Sequence, residues 1–264
     1  MNHFTQTSSE ISRLRQTIAA GTPVISLSGL TSTAAKAFVI SELRQDCKKT
    51  FVIVADLNTD VENWESDLNF FQISQDEYGS ETPKTNILTL PGFDADVYSG
   101  VSPHAETQEK RAIALWQLTN SKPEFLIISA KSLVTRVPAP DELRKMGGIL
   151  KRDEDFPPED LIEKLSACGY KREEPIANIG EFSMRGGIID IWSPGSELPF
   201  RIEFFGDTVD SIRSFDPDSQ LSIEQLTEVS IAPMREFSAT ADDFQLWTML
   251  ARDRFNDEKF TRNL

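Results

Sequence analysis

Histidine is almost missing from this chain: His3 and His104 are the two among 264 residues. A His-rich metal centre is thereby excluded, and Cys47 and Cys168, isolated and far apart in sequence, argue against a Cys/His zinc site. With no secretory signal, two isolated cysteines read as reduced thiols of a cytoplasmic protein. No apolar run approaches the roughly 20 residues that a membrane span requires, and the polar start "MNHFTQTSSE" is no signal peptide. Basic charge is also scarce, with 27 Lys and Arg against 42 Asp and Glu, a net charge of −15 and a pI near 4.6. A duplex-binding surface works by neutralising phosphates. This balance disfavours direct DNA binding and favours a protein partner with some basic surface.

What is present is globular. Hydrophobic residues make up 39% and charged residues 26%, enough for one large domain or two of ordinary size. The first half alternates strand and helix signals. Apolar runs at 23–28 ("PVISLS"), 50–55 ("TFVIVA"), 86–90 ("NILTL") and 124–130 ("EFLIISA") predict four strands. Between them, "TAAKAFVISELRQ", "NTDVENWESDLNFF" and "PHAETQEKRAIALWQLT" predict helices, and "KSLVTRV" a short one after the last strand. The second places Val61, Trp64, Leu68 and Phe71 at helical spacing. Strands apolar on both faces and separated by helices predict a parallel sheet, an α/β half. "PAPDEL" (138–143) breaks this rhythm and predicts a boundary. Beyond it, "PPEDLIEKLSACGY" predicts a helix with Pro at its start and Gly169 after its end. Strands over 180–192, 200–205, 207–214 and 227–232 follow, predicting an α+β module with an antiparallel sheet. From about 234 the pattern is helical again, with Phe244, Trp247, Leu250 and Phe255 as its apolar positions. Trp64, Trp116 and Trp247 are all expected in a core. The chain stops at "KFTRNL" without a cap or turn signal, as a piece of something longer does.

Catalytic signals are poor. "SGLTSTAAKAF" sits where a phosphate loop belongs, yet counting from Gly29 puts Ala34 in the second glycine place, Ala35 in the lysine place and Lys36 in the hydroxyl place. The lysine is out of register and no hydroxyl is left for Mg²⁺, so this is read as a P-loop-like domain lacking a functional Walker A, with no cofactor. Residual anion binding at the helix N-terminus stays open. His104 has no Gly-x-Ser-x-Gly or cysteine to act with and reads as a surface or capping residue.

The densest stretch is "FSMRGGIIDIWSPGSELPFRIEFFGD", Phe182–Asp207. Side chains alternate along a strand, so Ile202 and Phe204 share one face while Arg201, Glu203 and Phe205 share the other. Uninterrupted alternation on the preceding strand places Arg185 with Gly187 and Ile189. Two readings of the polar face stay open on residues alone: cross-strand charge pairing over an edge phenylalanine, or an interface hot spot built from arginines and an aromatic.

The segment from Gly180 to Pro233, with "RGGIIDIWSPGSELPFRIEFFGD" at its heart, resembles the part that the excision-repair helicase UvrB shares with the bacterial transcription-repair coupling factors (Mfd). "DLNFF", "SPHAETQEKR" and "SLVTRVPAP" resemble the N-terminal repair module of that family in the same order. The resemblance implies a 1A-like domain at 1–137 without a working ATP site, a domain 2-like UvrA-docking part at 138–233, and a 1B-like return from 234 to 264. It also implies that Arg185, Arg201 and Phe205 contact UvrA, with Glu203 between them as a fourth member. Arg201→Ala is then expected to remove UvrA binding while leaving the melt unchanged. RNA polymerase would be bound by domains absent here, and the chain is expected neither to hydrolyse ATP nor to move on DNA. Two alternatives remain: a degenerate helicase or ATPase fragment with residual nucleotide or direct DNA binding, and a module that docks against other domains of its own protein to hold them inactive.

Overall fold

The computed structural model describes residues 2–44, 47, 49–73, 86–95 and 101–254, with side chains from residue 9 onward. In chain order the elements are α1 (Asn2–Ala19), α2 (Thr33–Arg44), β1 (Phe51–Ala55), α3 (Asn58–Ile73), β2 (Ile87–Leu90), α4 (Ala105–Asn120), β3 (Phe125–Ser129), α5 (Ala130–Leu133), α6 (Pro140–Met146), β4 (Gly148–Lys151) and α7 (Pro158–Ala167). Then follow β5 (Lys171–Arg172), β6 (Glu181–Arg185), β7 (Ile188–Ile191), β8 (Phe200–Phe205), β9 (Thr208–Phe215), β10 (Ser222–Leu226), β11 (Glu228–Ile231) and α8 (Ala241–Arg254). The chain divides into two units, Met1–Ser102 with Ser121–Thr135, and Pro103–Asn120 with Arg136–Leu264. Among the described residues no helix is long and apolar enough to cross a membrane.

The first unit holds a parallel sheet in the order β1-β3-β2. Phe125 and Ile127 of the central strand are fully buried, together with Val61 and Leu68 of α3 and Ala37 of α2. Trp64 and Phe71 pack against that cluster, so the spacing read along α3 is the spacing that buries it. The expected strand at 23–28 does not form. Val24 is 79% exposed and Leu27 55% exposed. An apolar run becomes a strand only when a sheet edge takes up its backbone donors, and neither β1 nor β2 pairs with this one. The face of β1 carrying Val52 and Val54 is exposed as well, so this strand is not apolar-buried on both sides.

The second unit is built on a six-stranded sheet in the order β10-β9-β8-β7-β6-β5, antiparallel except for the β5–β6 pair. The antiparallel pair β4–β11 is a second small sheet whose Leu150, Val229 and Ile231 join the same core. Leu161 and Leu165 of α7 join Phe182, Ile189, Ile191, Ile202, Val209 and Ile212 in one core. The stop signal of α7 was readable. Gly169 has φ +98°, its amide donates to Ser166 O at 3.2 Å, and the Tyr170 amide donates to Leu165 O at 3.0 Å, the paired bonds of a Schellman cap. Within the same unit, Arg111 of α4 is fully buried and ion-paired to Glu236. His104 is exposed, and its carbonyl accepts the Gln108 amide at the start of α4.

One further expectation needs correction. Trp116 is buried, but Trp247 is 46% exposed, and α8 has no buried residue among those described. Its amphipathic spacing gives a stripe, with Phe244 and Trp247 stacked edge-to-face at 5.4 Å, and a stripe is buried only if something covers it. Phe255 and "KFTRNL" lie outside the described residues.

Gly147, between α6 and β4, meets the buried Trp116 ring so closely that a β-carbon there overlaps the indole. Gly147→Ala is therefore expected to lower stability by between about 1 and 2 kcal/mol through overpacking, read as an earlier urea midpoint with an unchanged slope.

Candidate functional site

In an antiparallel pair, residues directly opposite each other lie on the same face. The registers Ser183↔Asp190↔Arg201↔Arg213 and Arg185↔Ile188↔Glu203↔Ser211 therefore form two adjoining rows on the face turned away from the core. The row Met184↔Ile189↔Ile202↔Ile212 is the core side. Arg185 thus shares its face with Ile188 and Asp190, not with Ile189. Gly186 and Gly187 form a two-residue turn, and a turn resets the alternation that a single continuous strand would keep. Gly186 has φ +60°, and Phe204 donates its amide to Gly187 O at 2.7 Å. A β-carbon on Gly187 would come within 2.9 Å of the Phe204 carbonyl oxygen, so glycine is what lets the two strands close here. A bulge sits opposite, where β9 shifts register between the Glu203 and Phe204 pairs. It keeps Val209 and Ile212 both in the core although three positions separate them.

The four residues singled out in the sequence do not form one cluster. Arg201 is half-buried, with 18% of its side chain exposed, and donates through Nε and Nη2 to the two carboxylate oxygens of Asp190 at 2.8 and 2.9 Å. Its guanidinium stacks 4.5 Å from the centre of the Phe215 ring, which is fully buried, and Nη2 also reaches Gln220 Oε1 at 3.1 Å. The Asp190 hydrogen bonds are the largest influence holding the Arg201 guanidinium above its ordinary pKa. Arg185 approaches the same carboxylate more loosely, at 3.5 Å, and lies 3.5 Å from Glu174. Its side chain is 53% exposed.

Glu203 goes elsewhere. It accepts from Ser211 Oγ at 2.9 Å and pairs with Arg213, both on β9. Phe205 ends β8 at the Gly206–Asp207 turn and is 84% exposed, whereas Phe204 packs against the core. The two phenylalanines divide as alternation predicted.

Sequence reading missed Asp190, whose side chain is 3% exposed and receives both arginines. The signal was there, a lone carboxylate inside the apolar run "GIIDIW". A charge in such a place must be paired.

At the other candidate, the loop before α2, Ser32 Oγ accepts the Ala35 amide at 3.2 Å and Ser32 O accepts the Lys36 amide at 3.3 Å. The helix start is thus capped by its own chain. Lys36 lines a cavity of about 240 Å³ with Leu27, Leu30, Val39, Ile40 and Trp64.

Residues 149–237 match the family model described as the UvrB interaction domain, a span that contains this whole face. Curated relatives extend the similarity beyond it. The transcription-repair-coupling factor of Myxococcus xanthus is 32% identical over 208 residues, 78% of this chain and 17% of the relative. That of Escherichia coli (strain K12) is 30% identical over 169 residues, 64% of this chain and 15% of the relative. That of Bacillus subtilis (strain 168) is 37% identical over 131 residues, 50% of this chain and 11% of the relative. The chain therefore spans less than a fifth of the length of these relatives. The antiparallel-sheet segment belongs to the UvrB interaction domain family, in a chain similar to the bacterial transcription-repair-coupling factors.

Proposed function

We propose that the chain is a non-catalytic adaptor that binds UvrA through the outer face of its six-stranded sheet, so that UvrA is recruited to a stalled RNA polymerase. In this reading residues 138–233 do the docking, residues 1–137 are a degenerate nucleotide-binding-like domain, and 234–264 begin a return segment. The polymerase itself would be held by other parts of a longer protein. The observation that carries the reading is that the matched segment presents both an exposed aromatic and a loosely held cation. Phe205 is 84% exposed at a turn and Arg185 is 53% exposed with both its carboxylates at 3.5 Å. An exposed phenylalanine offers apolar area, and a guanidinium offers charge-assisted hydrogen bonds to a partner carboxylate.

Titrating purified UvrA onto the immobilised chain tests this. Arg185→Ala is expected to weaken binding about tenfold and to leave the thermal melt in place, because exposed pairs at such distances contribute little to stability. Full affinity in that variant would remove Arg185 from the interface.

The non-catalytic half of the proposal has its own assay. Labelled ATP and Mg²⁺ mixed with the chain are expected to give no turnover, since Lys36 is out of register and no hydroxyl follows it. Turnover that Lys36→Ala abolishes would make the chain an ATPase fragment instead.

A further inference from the structure

Arginine in solution samples many rotamers, and fixing it during association lowers affinity. A surface arginine that is already aligned before the partner arrives avoids that loss. On the sheet face, the buried and doubly hydrogen-bonded group beside Arg185 is Asp190. Its carboxylate stands inside β7 with 3% of the side chain exposed, and Arg201 clamps both oxygens. The buried Phe215 ring lies 4.5 Å from the Arg201 guanidinium, which restricts the rotamers open to the clamp. Asp190 Oδ2 then has a free direction toward the neighbouring row, where Arg185 Nη2 lies 3.5 Å away. Glu174, the other carboxylate beside Arg185, is 55% exposed and has no such support.

We infer that Asp190 is a positioning residue. Locked by Arg201, it orients the Arg185 guanidinium toward the partner, and Arg201 acts on UvrA binding mainly through it. This rests on the reading that Arg185 faces UvrA. The net result is two arginines over one buried carboxylate, which leaves Arg185 as the cation on offer to a carboxylate of the partner. Glu174 is the solvent-side placeholder that such a partner carboxylate displaces.

A double-mutant cycle separates positioning from bulk stability. Asp190→Asn is expected to weaken UvrA binding about five- to tenfold in the otherwise unchanged chain. In an Arg185→Ala background the same substitution is expected to change affinity by less than about twofold. A purely structural role predicts the same loss in both backgrounds, and that outcome overturns the inference. A second readout needs no UvrA. The Arg185 Nε–H resonance in NMR is expected to be ordered in the 264-residue chain, to become mobile in Asp190→Asn, and to stay ordered in Glu174→Gln. If Asp190→Asn does not fold, Glu174→Gln still decides, because an Arg185 freed by it makes Glu174 the anchor and overturns the inference. A chain that fails to bind UvrA, or binds it equally well as Arg185→Ala, sinks the docking reading alone. The NMR result then still decides what Asp190 does.

Discussion

Arg201→Ala is expected to destabilise the antiparallel-sheet unit by roughly 3 kcal/mol, the lower end of what breaking a buried ion pair costs. The reason is Asp190. Removing the guanidinium leaves a 3%-exposed carboxylate without the two hydrogen bonds at 2.8 and 2.9 Å. It also strips the cation from the Phe215 ring. Arg185, 3.5 Å away, supplies partial compensation, which places the effect at the lower end. For a unit of this size the melting temperature should fall by about 10 °C. An unchanged melt would mean that the Asp190–Arg201 pair contributes nothing net. The second half of this expectation concerns the partner change. Replacing both residues by apolar side chains, as in Arg201→Met with Asp190→Val, should recover most of the lost stability, because no buried charge is left unpaired. UvrA binding in that double variant should stay about five- to tenfold weaker than in the unaltered chain, since Arg185 has lost its support.

This outcome differs from what the hairpin alone suggested. Alternation put Arg201 on the outer face, from which a loss of binding without a loss of stability follows. The face is the one alternation gave, and the expected effect on stability changes because Arg201 clamps the buried Asp190 there. A side chain on the outer face of a sheet is still half-buried when its neighbours are an aspartate, a glutamine and a phenylalanine ring that fold over it.

Phe205→Ala is the clean test of the docking face. The ring is 84% exposed and stands at the end of β8, beside the Gly206–Asp207 turn. Truncating it removes almost nothing from the folded core, so stability should move by less than about 0.5 kcal/mol. If the ring is a central anchor for UvrA, affinity should fall about 30-fold or more, equivalent to roughly 2 kcal/mol. Phe204→Ala serves as the reverse control. Phe204 packs against the core cluster, so its truncation should lower the melt and change affinity only through the fraction folded. Equal affinities for the Phe205→Ala variant and the unaltered chain would take the aromatic out of the interface and leave the docking reading without its anchor.

Much of the fold was legible because the elements obey local rules. The buried positions of α3, the proline start and glycine stop of α7, and the split between Phe204 and Phe205 all follow from period, caps and alternation. These rules depend on residues within a turn or two of one another. The misreadings occur where a local pattern needed a distant partner to give it meaning. "PVISLS" has the composition of a strand, but a strand exists only if a sheet edge accepts it. The stripe on α8 has helical spacing, but among the described residues none of its side chains is buried. The short strands β4 and β5 carried too few residues to give a pattern at all.

The candidate site divides along the same line. Its residue types, its hairpin and its resemblance to a repair-factor segment could be read directly from one stretch of chain, because side-chain chemistry and period two are local properties. Which arginine is held and which is offered could not. That depended on the turn at Gly186–Gly187, which resets the faces, and on the register that sets Asp190 opposite Arg201 while Glu203 turns to Arg213. Ion pairs across strands are set by register and burial, and both come from the packing of residues far apart in sequence. The same arginine can be a contact or a clamp, and only its neighbours across the sheet make it one or the other.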